Sequence, residues 1–405
     1  MTQEAAPRGS VLEVLGVATR LGLTSFGGPV AHLGYFREEY VKRRAWVDEA
    51  TYADLIALCQ TLPGPASSQV GISLGIIRAG LAGGLAAWLG FTLPSAIAMV
   101  VFALVLQGVG PQAEGWLHGL KVVAVAVVAL AVWAMAKSLA PDRPRATMAI
   151  VAAIVMLAWP PTINIAIAQV GVIVLAGLIG WRLLPQPPAA TRVHTRVPIS
   201  QRVAVVAWVL FFTLLVGLPV LRTLTHNQAV ALIDSFYRVG SLVFGGAHVV
   251  LPLLQAEVIP NGWVTSEQFL AGYGAAQAVP GPLFTFTAFL GAVVGPPPNG
   301  VLGAALALVA VYVPSFLMLI GTLPSWGAVR GQAGVQSALR GINAAVVGLL
   351  LAALYHPVWT SAIRTPFDVA LAFAAFGLLA FWKAPAWLVV LFAAGGGALL
   401  SLVGR

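Results

Sequence analysis

The sequence predicts an all-α polytopic membrane protein built from two homologous helical modules. Three observations carry this: an extreme composition, apolar runs of bilayer length, and a set of irregular motifs that recurs after about 218 residues. Of 405 residues, 59% are hydrophobic and only 9% are charged, about a third of the charge of an ordinary soluble domain. Stretches 81–106, 117–139, 163–184 and 203–221 each reach the roughly 20 apolar residues that a helical span needs, with few or no charges. Such runs fill nearly the whole chain, which excludes a soluble enzyme with one anchor; about 10–14 membrane segments are expected. The 43 glycines show no collagen period, and the apolar content excludes disorder.

The single cysteine, Cys59, excludes a disulfide framework and a cysteine-based metal cluster. Residues 1–10 are short and polar, so no cleaved signal peptide is expected. A net charge of +9 would also suit a nucleic-acid binder, but positive-inside loops explain it more simply. Arg37, Lys42, Arg43 and Arg44 form one such loop; Lys137, Arg143 and Arg145 form another; Arg182, Arg192, Arg196 and Arg202 surround the most polar stretch. All three are assigned to the cytoplasm.

The repeat orders the chain. Arg20-Leu21-Gly22 with Phe26-Gly27-Gly28 recurs as Arg238-Val239-Gly240 with Phe244-Gly245-Gly246, at an offset of 218 that also places Glu39 on Glu257. Gln60 with Pro63-Gly64-Pro65 recurs as Gln277 with Pro280-Gly281-Pro282 at 217. Pro94-Ser95 recurs as Pro314-Ser315 at 220, and Gly119-Leu120-Lys121 as Gly341-Ile342-Asn343 at 222. Each copy therefore reads as an amphipathic first helix, a Gly-Gly break, a polar segment, an apolar pair split by Pro-Gly-Pro, two long spans and two shorter ones. The boundaries are 1–184 for the first copy, 185–200 for a Pro- and Thr-rich cytoplasmic linker, 201–227 for an unpaired connecting helix and 228–405 for the second copy. The segment after Gly28 carries four basic residues, while 247–268 carries none and has Glu257 and Glu267. Opposite charge bias in equivalent loops points to inverted copies. Each Pro-Gly-Pro pair reads equally as a broken span or a re-entrant hairpin.

The stretch Phe26-Gly27-Gly28-Pro29, the segment 46–62 ending in Pro63-Gly64-Pro65, and their second-copy counterparts resemble the chromate ion transporter family in its long, two-domain form. The likeness covers essentially the whole chain. It implies a multi-pass carrier of the bacterial inner membrane that exports chromate and confers chromate resistance, with oppositely oriented copies. It leaves open a sulfate-like oxyanion as cargo, a proton as the coupled ion, and a homodimer as the assembly. No cofactor, resident metal, nucleic acid or enzymatic activity is expected. The copies differ: Arg78 aligns with Gly295, Asp54 with Ala271, and Lys121 with Asn343.

A tetrahedral dianion crossing hydrocarbon needs fixed donors around it. Broken helices supply them, because a half-helix N-terminus presents unpaired N–H groups and the positive end of its dipole. Pro63, Gly64, Pro65, Pro280, Gly281 and Pro282 suit such breaks, as do Gly27, Gly28, Gly245 and Gly246. Ser67 and Ser68 follow the first Pro-Gly-Pro, and Thr285 aligns with Ser68. Their hydroxyls suit an oxyanion, or simply a helix cap. Arg20 and Arg238 lie inside apolar helices, where arginine costs about 2.5–3.5 kcal/mol, and are the first cationic candidates. The alternatives are snorkelling or pairing with glutamate. Lys121, with Asn343 as its counterpart, is a weaker candidate. Gln60 and Gln277 could donate to the anion or bond across helices. Glu39 and Glu257 would repel an anion, so they are candidates for proton coupling or for pairing Arg20 and Arg238, with solvated surface acids as the alternative. Asp54, in an otherwise apolar run, is a candidate proton site. His32 and His248 fall close after each Gly-Gly but out of register, and read as satisfied interfacial histidines. Gly71-Ile72-Ser73-Leu74-Gly75 matches the nucleophile-elbow pattern but sits in an apolar helical run, so small-residue helix packing explains it better. A channel, and an intramembrane enzyme using Ser73, are the remaining readings.

Overall fold

The computed structural model describes residues 9–108, 114–160, 162–185, 199–244, 246–327 and 332–403. Among these, every regular element is helical. Six helices are long and apolar enough to cross a membrane. The first copy contains α1 (Val11–Thr24), α2 (Gly28–Phe36), α3 (Glu49–Thr61), α4 (Ala66–Gly108), α5 (Glu114–Leu139), α6 (Arg143–Leu157) and α7 (Ile165–Leu183). Next comes α8 (Gln201–Thr225). The second copy contains α9 (Gln228–Leu242), α10 (Val250–Val258), α11 (Ser266–Ala276), α12 (Phe286–Val293), α13 (Gly300–Thr322), α14 (Ala333–Ala353), α15 (Pro366–Ala380) and α16 (Ala386–Val403).

Local chemistry sets many of these ends. Ser10, Asp48, Asp142, Asn227 and Thr265 each cap a helix start by accepting a backbone N–H. Inside α4, Ala79 and Gly80 leave helical geometry, Gly80 at φ +66°, so α4 is two limbs joined by a sharp turn. That turn corresponds to the connection between α12 and α13. The limbs fold tightly together because Gly75 and Gly83 face each other; a methyl group at either would strike the other's carbonyl. Gly291 and Gly303 make the same contact in the second copy. Small-residue packing thus engages Gly75 of the Gly71-x-x-x-Gly75 pair, while Gly71 lies beside the Phe36 ring.

Each Pro-Gly-Pro is the tip of a helical hairpin. Cys59 Sγ lies 3.9 Å from Ser73 Oγ, so α3 and the first limb of α4 run back to back. In the second copy, Tyr273 of α11 meets Phe286 of α12 with ring centroids 5.7 Å apart. The Phe-Gly-Gly break of the first copy is also a hairpin tip. Glu13, at the start of α1, bridges Arg44 beyond α2 at 3.8 Å and Arg78 at the end of the first α4 limb at 3.2 Å. Both first-copy hairpins therefore stand on one end of the molecule.

The second limb of α4 then crosses to the other end. It passes Gly22 at Phe91, reaches Gly281 at Ser95, meets Phe289 at Phe102, and finishes where Gln107 Nε2 donates to the Ala292 carbonyl at 3.2 Å. Its counterpart α13 starts beside Gly291, passes Gly64 at Ser315, and ends near Trp326, whose Nε1 donates to Asp54 at 3.2 Å. These two equivalent helices run in opposite directions. The long helices interleave as well: α5 packs against α15 and α16 of the second copy, and α14 packs against α6 and α7 of the first. A buried apolar core joins the copies into one body.

Candidate functional site

The four breaks meet in the interior, and they meet reciprocally. Gly64 donates its backbone N–H to the carbonyl of Val243, just before the second Phe-Gly-Gly, at 2.7 Å. Gly281 donates to the carbonyl of Ser25, just before the first, at 2.9 Å. Val243 is the repeat counterpart of Ser25, and Gly281 that of Gly64. Gly27, Gly28, Gly64, Gly246 and Gly281 all have positive φ, between +76° and +139°, a region that disfavours L side chains. At Gly64 a side chain would also strike the Ser315 hydroxyl, and at Gly281 it would come within 2.8 Å of Ser95 Oγ. Gly245 lies outside the described residues.

Helix starts surround this point. Helix α2 begins at Gly28 with Pro29 in its first turn, and α4 begins directly after Pro65. On the second-copy side, α10 and α12 follow short 3₁₀ turns at Ala247–Val249 and Leu283–Thr285. The first turn of each helix carries N–H groups without intrahelical partners. Buried polar side chains collect beside them. His32 Nδ1 is 3.2 Å from Ser67 Oγ, and Ser68 Oγ is 3.3 Å from the Tyr312 hydroxyl. Gln69 Nε2 donates to the Pro63 carbonyl at 2.7 Å, tying down the turn. Ser25 Oγ, Gln69 Oε1 and Ser315 Oγ are buried without a hydrogen-bond partner in the structure. Ser67, Ser68 and His32 are themselves at most 4% exposed, so the cluster is closed off from the surface.

The other predicted residues lie elsewhere. Arg238 contacts both Asp234 oxygens at 3.1 Å and Glu257 at 2.9 Å, while Arg222 from α8 reaches Asp234 at 3.2 Å. Glu257 also accepts from Ser235 at 2.7 Å. Arginine–carboxylate pairing, the alternative weighed from the sequence, is what engages Arg238. Arg20 is exposed on α1, with Glu39 within reach of its charge. Glu39 is held by Arg44 at 2.7 Å and Arg43 at 3.3 Å. Lys121 is buried against Glu267 at 3.3 Å, which Arg364 also contacts at 2.9 Å. Asn343 is half-buried on α14. Gln60 is exposed, Gln277 Nε2 lies 3.5 Å from the Tyr273 carbonyl of its own helix, and the Thr285 hydroxyl donates to Pro282 at 2.9 Å. His32 is no interfacial histidine: it is 1% exposed, against Phe91 and Ser67. His248 bonds the Tyr273 hydroxyl at 2.8 Å instead. Ser315, Tyr312, Gln69 and Ser25 were missed as site residues. The recurring Pro-Ser doublet was the one signal that pointed to any of them.

Long apolar helices, an internal repeat and chain breaks gathered in the interior define the class: a multi-pass helical membrane protein of two interleaved copies. The chain belongs to the chromate transporter family, whose model matches residues 12–181 and again 230–398. It is similar to a chromate transport protein of Pseudomonas aeruginosa, 29% identical over 98% of this chain and 93% of that protein. A chromate transport protein of Cupriavidus metallidurans is 24% identical over 98% of this chain and 94% of its own length. An uncharacterised transporter of Methanocaldococcus jannaschii is 24% identical over 85% of this chain and 83% of that one. No solved structure matches. Family membership supports a role in chromate transport.

Proposed function

We propose that this chain is a secondary active carrier that exports chromate from the cytoplasm by alternating access around the meeting point of the four breaks, and so confers chromate resistance. The observation that carries the reading is the reciprocal seating of each Pro-Gly-Pro on the other copy's Phe-Gly-Gly approach. A joint made of two equivalent contacts gives two equivalent ways to open. Rocking one copy against the other would break one contact and keep its counterpart. With both contacts made, the polar cluster is sealed, as an occluded state requires.

The two copies lie in opposite orientations in this reading, supported by the antiparallel courses of α13 and the second α4 limb. The hairpins are re-entrant, because their arms of 8 to 16 residues span at most about 24 Å against about 30 Å of hydrocarbon. The end carrying Arg37, Lys42, Arg43, Arg44 and Arg78 faces the cytoplasm of a bacterial inner membrane. The divisions at 184, 200 and 227 then separate two repeats, a linker and α8, the helix that supplies the odd span. The membrane potential alone favours expelling a dianion by roughly 4–5 kcal/mol at 100 mV. Glu39, Glu257 and Asp54 are the residues proposed for proton coupling. Because neutral hydroxyls and helix N-termini suit any tetrahedral dianion, sulfate is the alternative cargo.

The deciding experiment is a proteoliposome flux assay with chromate, sulfate and an internal pH dye. Saturable chromate flux, blocked by sulfate only in excess, is expected. Sulfate transport at equal or better efficiency would make this a sulfate-type permease. Non-saturating flux would make it a channel.

A further inference from the structure

We propose that the oxyanion site is one-sided: it lies on the N-terminus of α4 in the first copy, and the equivalent N-terminus in the second copy is closed to ligand. This rests on the oxyanion-carrier reading and locates the cargo within it. The repeat makes the comparison direct. After Pro63-Gly64-Pro65 the chain presents Ser67, Ser68 and Gln69; at the same three positions after Pro280-Gly281-Pro282 it presents Phe284, Thr285 and Phe286. Phe284 and Phe286 are fully buried, Phe284 against Tyr312 and Phe286 against Phe269 and Tyr273. The second-copy turn also spends its donors on itself: the Thr285 N–H and hydroxyl both go to the Pro282 carbonyl, at 3.0 and 2.9 Å.

The first-copy N-terminus is furnished differently. Ser67 and Ser68 meet only long partners, His32 at 3.2 Å and Tyr312 at 3.3 Å, and their hydroxyls can rotate toward a better acceptor. The independent sign of a ligand is Ser315. Its hydroxyl is 0% exposed, has no hydrogen-bond partner, and lies against Gly64 at the entrance to α4. A buried hydroxyl left without a partner is destabilising unless something satisfies it. Its counterpart Ser95 is satisfied by the Thr92 carbonyl at 3.1 Å. Ser25 Oγ, on the residue that accepts the Gly281 N–H, is buried without a partner as well, so the asymmetry rests on the two phenylalanines and the self-bonded Thr285. Tyr312 likewise replaces Thr92 in the repeat, so α13 of the second copy brings two hydroxyls to the first copy's helix start.

Four hydroxyls and the free N–H groups of one helical turn form a shell of neutral donors. That shell fits the oxygens of a tetrahedral dianion, chromate or sulfate.

The test is equilibrium dialysis of the purified full chain against radiolabelled chromate and, separately, radiolabelled sulfate. Ser67→Ala and Ser315→Ala should each weaken binding at least tenfold, with melting temperatures within a few degrees of wild type. Ser67→Thr, which keeps the hydroxyl, should bind within threefold of wild type. Should Ser315→Ala fail to fold, Ser67→Ala and Ser68→Ala decide. Wild-type binding by folded Ser67→Ala and Ser315→Ala would overturn the one-sided site. A folded wild-type chain that binds neither anion would overturn the oxyanion reading itself.

Discussion

The backbone N–H of Gly64 lies 2.7 Å from the carbonyl of Val243, joining the Pro-Gly-Pro tip of one copy to the Phe-Gly-Gly approach of the other, 179 positions along the chain. The equivalent bond from Gly281 to Ser25 makes the joint two-fold. Neither glycine can be replaced without changing that geometry.

Gly64→Ala is therefore expected to abolish chromate transport. The backbone sits at φ +121°, which costs an L residue on the order of 1–3 kcal/mol, and the new methyl group meets the Ser315 hydroxyl. Gly281→Ala, at φ +94° with Ser95 Oγ 2.8 Å from the added carbon, should lose transport too. Uptake of chromate by everted vesicles, normalised to folded protein by size-exclusion chromatography, checks both. Wild-type rates in either variant would show that the joint is not part of the transport cycle.

Arg20 and Arg238 occupy matched positions in the repeat but should respond differently to mutation. Arg238→Ala leaves Asp234, 1% exposed, with Arg222 alone, and takes from Glu257 its guanidinium partner. Removing one member of a buried ion network costs about 3 kcal/mol or more, so the melting temperature should fall by several degrees. Arg20→Ala, on an exposed position, should stay within about 0.5 kcal/mol of wild type. Thermal melts in detergent separate the two. If Arg20→Ala still loses transport while melting normally, its charge serves the anion's path.

Much of this layout was legible in the sequence. The paired breaks follow from offsets near 218, and the pairing of Glu257 with arginine is one of the alternatives that the cost of charge in hydrocarbon leaves open. What the offsets could not supply was which copy each break would touch. Gly64 gives its N–H to Val243 of the other copy, and Lys121 meets Glu267, 146 positions away. Nor could residue type separate Ser67, which faces His32, from Thr285, whose hydroxyl is consumed by its own turn. Short-range hydrogen bonding by a hydroxyl competes with ligand binding, and only the fold decides which wins.

The Lys121–Glu267 pair predicts a pH dependence. Lys121, first by its charge and then by its hydrogen bond, holds the Glu267 carboxyl below its ordinary value of 4.5, with Arg364 adding to the effect. A depressed folded-state value means the contribution is present above about pH 4.5 and is lost as the pH falls through the folded value. Lys121→Gln should therefore melt below wild type at neutral pH, with the gap narrowing as the pH drops under 4.5. A gap that stays constant from pH 7 to pH 3 would mean that Lys121 contributes through packing alone.

Opposite orientation of the copies makes a prediction about which side each loop faces. Lys42 lies between α2 and α3, at the hairpin base where Glu13 bridges Arg44 and Arg78. Arg364 lies at the other end, where Glu267 meets it and Lys121 near the start of α5. The second limb of α4 separates them by about 28 residues, or roughly 42 Å of helix. In a Cys59→Ser background, Lys42→Cys should react with a membrane-impermeant maleimide only in everted vesicles, and Arg364→Cys only in intact cells. Both positions are exposed, so failure to react on one side reports topology rather than burial. Labelling of both from the same side would put the two hairpin bases on one membrane face. The reciprocal joint would then have to open laterally rather than by alternating access.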